Sequence, residues 1–193
     1  MDKNNIVIFN TKKTIYLMFL ILTAIALVLL GCKEKEKATA PKVATPCEIL
    51  DKMPKGIAKP LDVNFGNKVK LLGITIDKLP QNKLQISFYW QPIEDLGLHN
   101  VPFIHFTDEN NKVLFLTAHD FCQKTPFEKL KSKFVKEMYV IDIPQSAINN
   151  KVDVKIGIYA PNLKSDFRLK IISAGGFHVD DNNTRVAVEK LSL

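Results

Sequence analysis

The chain has 193 residues, of which 46% are hydrophobic and 24% are charged, and its formal net charge is +7. This length fits one domain with a hydrophobic core and requires no second domain. The basic residues are spread along the chain, which argues against a nucleic-acid partner. The sequence contains no glycine-rich phosphate loop, no GxSxG and no CxxC, so the common signatures of nucleotide-binding, esterase and redox enzymes are missing.

The N-terminal segment combines Lys12 and Lys13 with a run from Thr14 to Leu30 that carries no charge. A basic segment followed by an apolar run is typical of an export signal, and this run is short for a membrane span of about 20 residues. The run ends in Leu29-Leu30-Gly31-Cys32, which resembles the lipobox of bacterial lipoproteins. The resemblance implies that residues 1–31 are a cleaved signal peptide and that Cys32 becomes a lipid-modified N-terminus.

The implied anchor places the mature chain on the extracytoplasmic side of a cell membrane or an outer membrane, with the lipid bilayer as a partner through acylated Cys32. Two or three acyl chains suffice for stable anchoring, because each buried methylene contributes about 0.8 kcal/mol. The alternative is that Thr14 to Leu30 remains as an uncleaved membrane anchor. Both interpretations predict that the remainder is tethered to the outer face. Loss of the signal peptide removes three lysines and one aspartate and leaves a net charge of +5.

Two cysteines, Cys47 and Cys122, remain after lipidation of Cys32. In an oxidising compartment two thiols of one small domain often form a disulfide. Such a bridge would close a loop of about 75 residues and stabilise the fold by roughly 4 kcal/mol. The alternatives are two unpaired thiols or, less simply, a cysteine nucleophile, for which no neighbouring residue would lower the thiol pKa.

The mature chain begins with a segment that has too little apolar surface to pack, KEKEKATAPKVATP from residue 33 to residue 46. Its composition predicts a flexible tether, so that residues 32–46 form the lipidated cysteine and tether and residues 47–193 form a single β-sandwich domain.

Short β-type runs separated by turn residues follow. The clearest is Lys151 to Ile158, in which alternate valines and isoleucines share one face. The predicted strands are Val69–Asp77, Leu84–Gln91, Val101–Thr107, Lys112–Ala118, Phe134–Ile143, Lys151–Ile158, Phe167–Ile172 and Thr184–Lys190. About eight short strands predict an all-β fold, an antiparallel sandwich of jelly-roll or immunoglobulin-like type. One short helix is expected from Thr125 to about Lys133, with Thr125 as N-cap and Pro126 at its first position.

The histidines and acidic pairs are candidates for chemistry. His99, His105, His119 and His178 lie in separate segments without metal-ligand spacing, so buried or exposed histidines explain them better than a metal site. His105 is the one expected to be buried. The acidic pairs Glu94-Asp95, Asp108-Glu109 and Asp180-Asp181 fall in predicted turns, which turn chemistry explains without a ligand. We therefore predict no catalytic residue, no metal and no cofactor.

Alternation within Leu84 to Gln91 places Trp90 on the apolar face, so core burial is its simplest role. Tyr89 and Tyr159 fall on the polar faces of their strands. These two tyrosines are the residues predicted to face a ligand.

The segment from Phe65 to Leu169 resembles the extracytoplasmic β-sandwich domains appended to some bacterial mannosyltransferase-type membrane glycosyltransferases. The similarity lies in the opening Asn64 to Gly73, the tryptophan-ended strand Leu84 to Trp90, the strand Val101 to Phe106 and the later strand Lys155 to Pro161. It implies a sandwich outside the membrane, beside an envelope glycan pathway, that binds carbohydrate or a partner protein.

The favoured function is a non-enzymatic, membrane-anchored binding module for an envelope glycan or protein. The alternatives are a structural or assembly lipoprotein of an envelope complex and, less favoured, a hydrolase that uses histidines and loop acids.

Overall fold

The alternation of apolar and polar residues forms strands along most of the domain. The computed structural model describes residues 47–96, 100–159 and 168–193. Within them the strands are β1 Cys47–Leu50, β2 Lys59–Phe65, β3 Val69–Leu79, β4 Lys83–Pro92, β5 Val101–Thr107, β6 Val113–Ala118, β7 Phe134–Asp142, β8 Lys151–Tyr159, β9 Ile171–Ser173, β10 Val179–Asp180 and β11 Arg185–Ser192. All their pairings are antiparallel.

The strands form two sheets that enclose one core. The six-stranded sheet has the order β1-β7-β4-β3-β2-β9, and the five-stranded sheet has the order β10-β11-β8-β5-β6. The all-β antiparallel sandwich predicted from the sequence is confirmed. Eleven strands are described where about eight were expected: β1 and β10 are too short to show an alternating pattern, and β2 was not predicted although Leu61, Val63 and Phe65 alternate with polar residues.

Aromatic rings fill the centre of the core. Trp90 is fully buried, stacks on Phe88 with ring centroids 5.7 Å apart and meets the edge of Phe121 at 5.8 Å. The prediction that Trp90 belongs to the core is confirmed. Such pairs add about 0.5–1.5 kcal/mol each beyond the area they bury.

The segment after β6 differs from the predicted helix. A 3-10 turn, Phe121–Lys124, precedes a single helical turn, α1, which spans Phe127–Leu130. Thr125 does not cap α1, since its hydroxyl donates to the Cys122 carbonyl at 2.7 Å. The prediction of a Thr125 cap and a helix to Lys133 was therefore wrong. A second 3-10 turn, Gln145–Ala147, links β7 to β8.

The connection from β1 to β2 crosses the outer face of the six-stranded sheet, because β7, β4 and β3 lie between the two strands. Ile57, within this connection, covers Gly73 so closely that a Cβ at Gly73 would lie 2.3 Å from Ile57 Cγ2. Glycine at this position is what allows the crossing segment to lie against the sheet.

Candidate functional site

The predicted lipidation site lies outside the described residues, and so do the signal peptide and the tether. Cys47, the first described residue, is joined by a disulfide to Cys122, with their Cα atoms 5.1 Å apart. The bridge links β1 to the 3-10 turn that follows β6. It therefore joins the β1 edge of the six-stranded sheet to the segment that follows β6, the edge strand of the five-stranded sheet.

The two tyrosines predicted to face a ligand lie on different sheets. Tyr89 is in β4 of the six-stranded sheet and alternates with buried Phe88 and Trp90, so its side chain is on the outer face. Tyr159 is in β8 of the five-stranded sheet and meets the edge of the Phe103 ring at 5.5 Å. These outer faces are on opposite sides of the sandwich, so Tyr89 and Tyr159 do not share one ligand surface.

The three described histidines occupy unrelated environments, and His99 lies outside the described residues. His178 is exposed next to β10, whereas His105 and His119 are partly or largely enclosed. Among the residues that the structure describes, no group of three or more histidine, cysteine, aspartate or glutamate side chains could hold a metal ion.

A charged cluster lies on the outer face of the five-stranded sheet. It consists of His105, Asn111, Lys155, Asp180 and Arg185 and is called the outer charged cluster. Lys155 and Arg185 are only 4% and 6% exposed, and both donate to Asp180 and to Asn111 at 2.7–3.0 Å. The cluster holds the β10–β11 hairpin and the turn after β5 against β8.

The electrostatics of this cluster keep His105 neutral. Burial and the charges of Arg185 and Arg168 lower the pKa of His105 to about 4. Nδ1 of His105 lies 2.8 Å from Arg185 Nη1, so this nitrogen accepts the hydrogen bond. Burial alone would raise the pKa of Asp180, but hydrogen bonds from Arg185 and Lys155 outweigh it and hold that pKa below its ordinary value. These groups stabilise one another and leave no free base.

A second polar cluster lies inside the sandwich, next to the disulfide. Its members are Glu137, His119, Tyr139 and the backbone of Cys122, and it is called the inner acid cluster. Glu137 is fully buried, accepts the Cys122 N–H at 2.6 Å, and lies 3.3 Å from His119 Nε2. Cys47 is directly opposite Glu137 in the β1–β7 pairing.

The inner acid cluster has unused hydrogen-bonding capacity. Neither His119 Nδ1 nor the Tyr139 hydroxyl makes a hydrogen bond with any described residue, although both atoms are buried. The two rings are in contact, with their centroids 3.7 Å apart and their planes inclined by 39°. A buried polar atom without a partner costs about 1–3 kcal/mol, so the disulfide and the sheet must hold this cluster in place.

The acidic pairs predicted in turns have local partners. Asp108 accepts the N–H groups of Asn110 and Lys112, both at 2.9 Å, and so fixes the β5–β6 hairpin turn. Asp181 pairs with Arg168, and Glu94 lies 3.8 Å from Lys68. Local turn geometry and surface ion pairs therefore explain Asp108, Asp181 and Glu94, whereas Asp180 lies in β10 and belongs to the outer charged cluster.

An accessible apolar feature is the edge strand β6, with the sequence VLFLTA. It pairs with β5 alone among the described strands and contains no charged residue and no proline. Phe115 stacks on Phe106 with centroids 4.1 Å apart, whereas Val113 is 36% exposed and Leu116 is 53% exposed. The strand is thus held firmly on its inner side and is apolar on its outer side.

The hydrogen-bond pattern of β6 leaves backbone groups facing outward. The His119 N–H donates to the Pro102 carbonyl at 3.1 Å, and this bond shows which residue pairs of β5 and β6 are hydrogen-bonded. Because bonded and non-bonded pairs alternate in antiparallel strands, Phe115 and Thr117 bond to β5. The N–H and C=O groups of Leu116 and Ala118 therefore point away from the sheet.

Comparisons with family models, curated proteins and solved structures gave no match to this chain. Within the described ranges, no helix is both long and apolar enough to cross a membrane.

Sequence reasoning missed the inner acid cluster and the role of β6. Glu137 is at an inward position of the alternating strand β7, where an acidic residue is unexpected. This inward acid is the sequence feature that could have predicted the inner acid cluster. The apolar run VLFLTA was visible, but its place at an edge depends on strand order.

Proposed function

We propose that this chain is a lipid-anchored, non-enzymatic binding module on the outer side of a bacterial membrane, which binds an extended segment of an envelope protein along β6. The lipobox-like Leu29-Leu30-Gly31-Cys32 supports the anchor. The unprotected edge strand β6 supports binding by the addition of a partner strand.

The comparison of edge strands supports β6 as the binding site. The other described edges are β1, β9 and β10, which have four, three and two residues, whereas β6 has six. Proteins usually protect sheet edges with short strands, charges or proline. A longer, uncharged edge with outward backbone groups suits a partner that adds a strand.

A protein partner is favoured over a glycan because of what β6 offers. An added strand satisfies alternating backbone donors and acceptors, and its side chains cover Val113 and Leu116. The partner segment would be five or six residues long, largely uncharged and apolar at alternate positions. The tyrosines that would suit a sugar ring are on opposite faces of the sandwich.

Site-specific photo-crosslinking in intact cells tests the binding mode. A photoreactive residue replaces Leu116, and the matched control replaces Ile172, which is 57% exposed on the opposite edge strand β9. We expect a discrete crosslinked protein at position 116 and none at position 172. Ala118→Pro removes an outward N–H and should abolish the crosslink without breaking the β5–β6 ladder. Identical patterns at both positions would contradict the proposal.

The anchor has its own test. Cys32→Ser should prevent incorporation of labelled lipid and leave the precursor uncleaved at that site. A wild-type protein that stays in the membrane fraction without acyl mass would instead support the uncleaved anchor.

A further inference from the structure

A second accessible surface lies where the chain enters the domain. It consists of two exposed apolar side chains, Ile49 and Met53, and the exposed lysines Lys52, Lys55, Lys129 and Lys131, and is called the entry patch. Ile49 is 41% exposed and Met53 is 52% exposed. These side chains come from β1, from the residues after it and from the region of α1.

The pairing of β1 with β7 brings the two parts of the entry patch together. Leu50 lies opposite Phe134 at the end of this pairing. Beyond it, Lys133 forms an ion pair with Asp51, so the residues that follow β1 stay beside those that precede β7. The two segments of the patch therefore lie side by side at the β1 edge of the six-stranded sheet.

The lysines of the entry patch differ from most others in the domain. Elsewhere Lys59, Lys68, Lys70, Lys83, Lys124, Lys155 and Lys190 each lie within 4.0 Å of a carboxylate. The four patch lysines pair with no carboxylate among the described residues. Of the neighbouring acids, Asp51 is paired with Lys133, Glu48 lies opposite Lys136, and Glu128 of α1 offsets one of the four patch lysines, so a positive surplus remains.

The position of the patch along the chain sets its distance from the proposed anchor. Cys47 is 15 residues after Cys32, and a flexible segment of that length has a root-mean-square span of roughly 20 Å and at most about 50 Å. A surface held at this distance needs only weak affinity for the bilayer, because tethering raises its effective concentration.

We propose that the entry patch rests on the anionic surface of the membrane that carries the anchor, with Met53 and Ile49 at the headgroup level and the lysines beside anionic phospholipid. Lysines around exposed apolar side chains are the pattern of an interfacial membrane contact. This inference rests on the lipid anchor of the proposed function, and it orients the domain on the bilayer.

Spin labelling of the full-length, lipidated protein in vesicles tests the orientation. One nitroxide is attached at Met53→Cys, and the control nitroxide is attached at Asn110→Cys, in the turn between β5 and β6 at the other end of the strands. Collision rates with a water-soluble nickel chelate are measured in vesicles with and without phosphatidylglycerol. We expect a several-fold lower rate for the label at position 53 when the anionic lipid is present, and no change at position 110.

Charge variants test whether protection of position 53 depends on the patch lysines or only on the net charge of the protein. Lys52→Gln with Lys131→Gln should restore access of the chelate to position 53, whereas the matched double change Lys112→Gln with Lys151→Gln should not. High salt should also restore access, because it screens the lysines. Equal effects of the two double variants on access to position 53 would overturn the proposal.

Acyl mass, measured on the same samples, keeps this inference distinct from the anchor. An acylated protein with equal access at position 53 in both vesicle types overturns the entry patch and leaves the anchor intact. A protein without acyl mass whose position 53 is still protected on anionic vesicles supports the patch and overturns the anchor.

Discussion

The two polar clusters of this domain each hold a carboxylate away from water, but they give it different numbers of partners. The outer charged cluster surrounds Asp180 with two cations, and each cation also reaches Asn111, so every charge has several partners. The inner acid cluster gives Glu137 one backbone N–H and one imidazole, and it leaves His119 Nδ1 and the Tyr139 hydroxyl without partners among the described residues. At the surface, redundancy makes each contact replaceable. In the core, each contact is needed.

Glu137→Ala is the sharpest way to test that difference. Removal of Glu137 leaves the Cys122 N–H and His119 Nε2 without their partner, each at a cost of about 1–3 kcal/mol, and the cavity left by the side chain adds to the loss, so we expect a total loss of about 3–5 kcal/mol. Urea unfolding followed by the fluorescence of Trp90, the single tryptophan, measures it. Lys136→Ala, the next residue on the outer face of β7, is the control and should change the free energy of unfolding by less than about 0.5 kcal/mol. Equal losses would contradict the comparison.

The disulfide tests whether the inner acid cluster depends on a covalent link. Cys47→Ser with Cys122→Ser opens a loop of 75 residues and should lower the free energy of unfolding by about 4 kcal/mol. The same unfolding titration of the wild type with and without reductant should give a similar difference. A loss below about 1 kcal/mol would mean that the sheet alone positions Cys122.

Asp180→Asn tests the redundancy of the outer charged cluster. The substitution weakens charged hydrogen bonds from Arg185 and Lys155 but keeps an acceptor, so we expect a loss of about 1–2 kcal/mol. Asp181→Asn is the matched control, since its ion pair with Arg168 is more exposed and should contribute about 0–1 kcal/mol. If Asp180→Asn were as harmful as Glu137→Ala, the outer cluster would have no redundancy.

The remaining test concerns pH, and its effect is the smallest at neutral pH, where His105 is neutral in both the folded and the unfolded chain. The folded domain holds the pKa of His105 at about 4, below its ordinary 6.5, so the unfolded chain binds the proton more readily. Stability contributed by neutral His105 is therefore full above about pH 6.5 and decreases as the pH falls towards 4. His105→Gln should reduce the slope of unfolding free energy against pH in that window. An unchanged slope would mean that groups other than His105 cause the pH dependence of stability.

The sequence predicted the parts of the fold that follow from alternation. The bounds of β5 were correct because its apolar run ends at the turn that begins with Asp108, and the burial of Trp90 was correct because apolar and polar residues alternate in β4. Strand β2 was missed because Pro60 near its start is unfavourable for a strand, although Leu61, Val63 and Phe65 alternate with polar residues and the strand pairs with β3 and β9. The α1 helix ends at Leu130 rather than near Lys133, because Lys131 has an extended backbone and Ser132 has a positive φ.

The candidate site was harder to predict than the fold. Tyr89 and Tyr159 were each placed correctly on the outer face of a strand, but only the sheet order shows that these faces are opposite. Strand β6 was predicted within one residue, yet its exposure depends on its place beside β5 alone. Properties that depend on distant neighbours cannot be obtained from local patterns.

The pairing of β1 with β7 also sets an order of assembly. A chain that folds as it emerges N-terminus first presents β1 early, while β7 and Cys122 follow only after most of the strands have appeared. Contacts between distant segments form slowly, since the loop between them must close first. The edge that carries Cys47 consequently stays open until β7 has emerged, and an oxidant acting before that moment would find its thiol still unpaired.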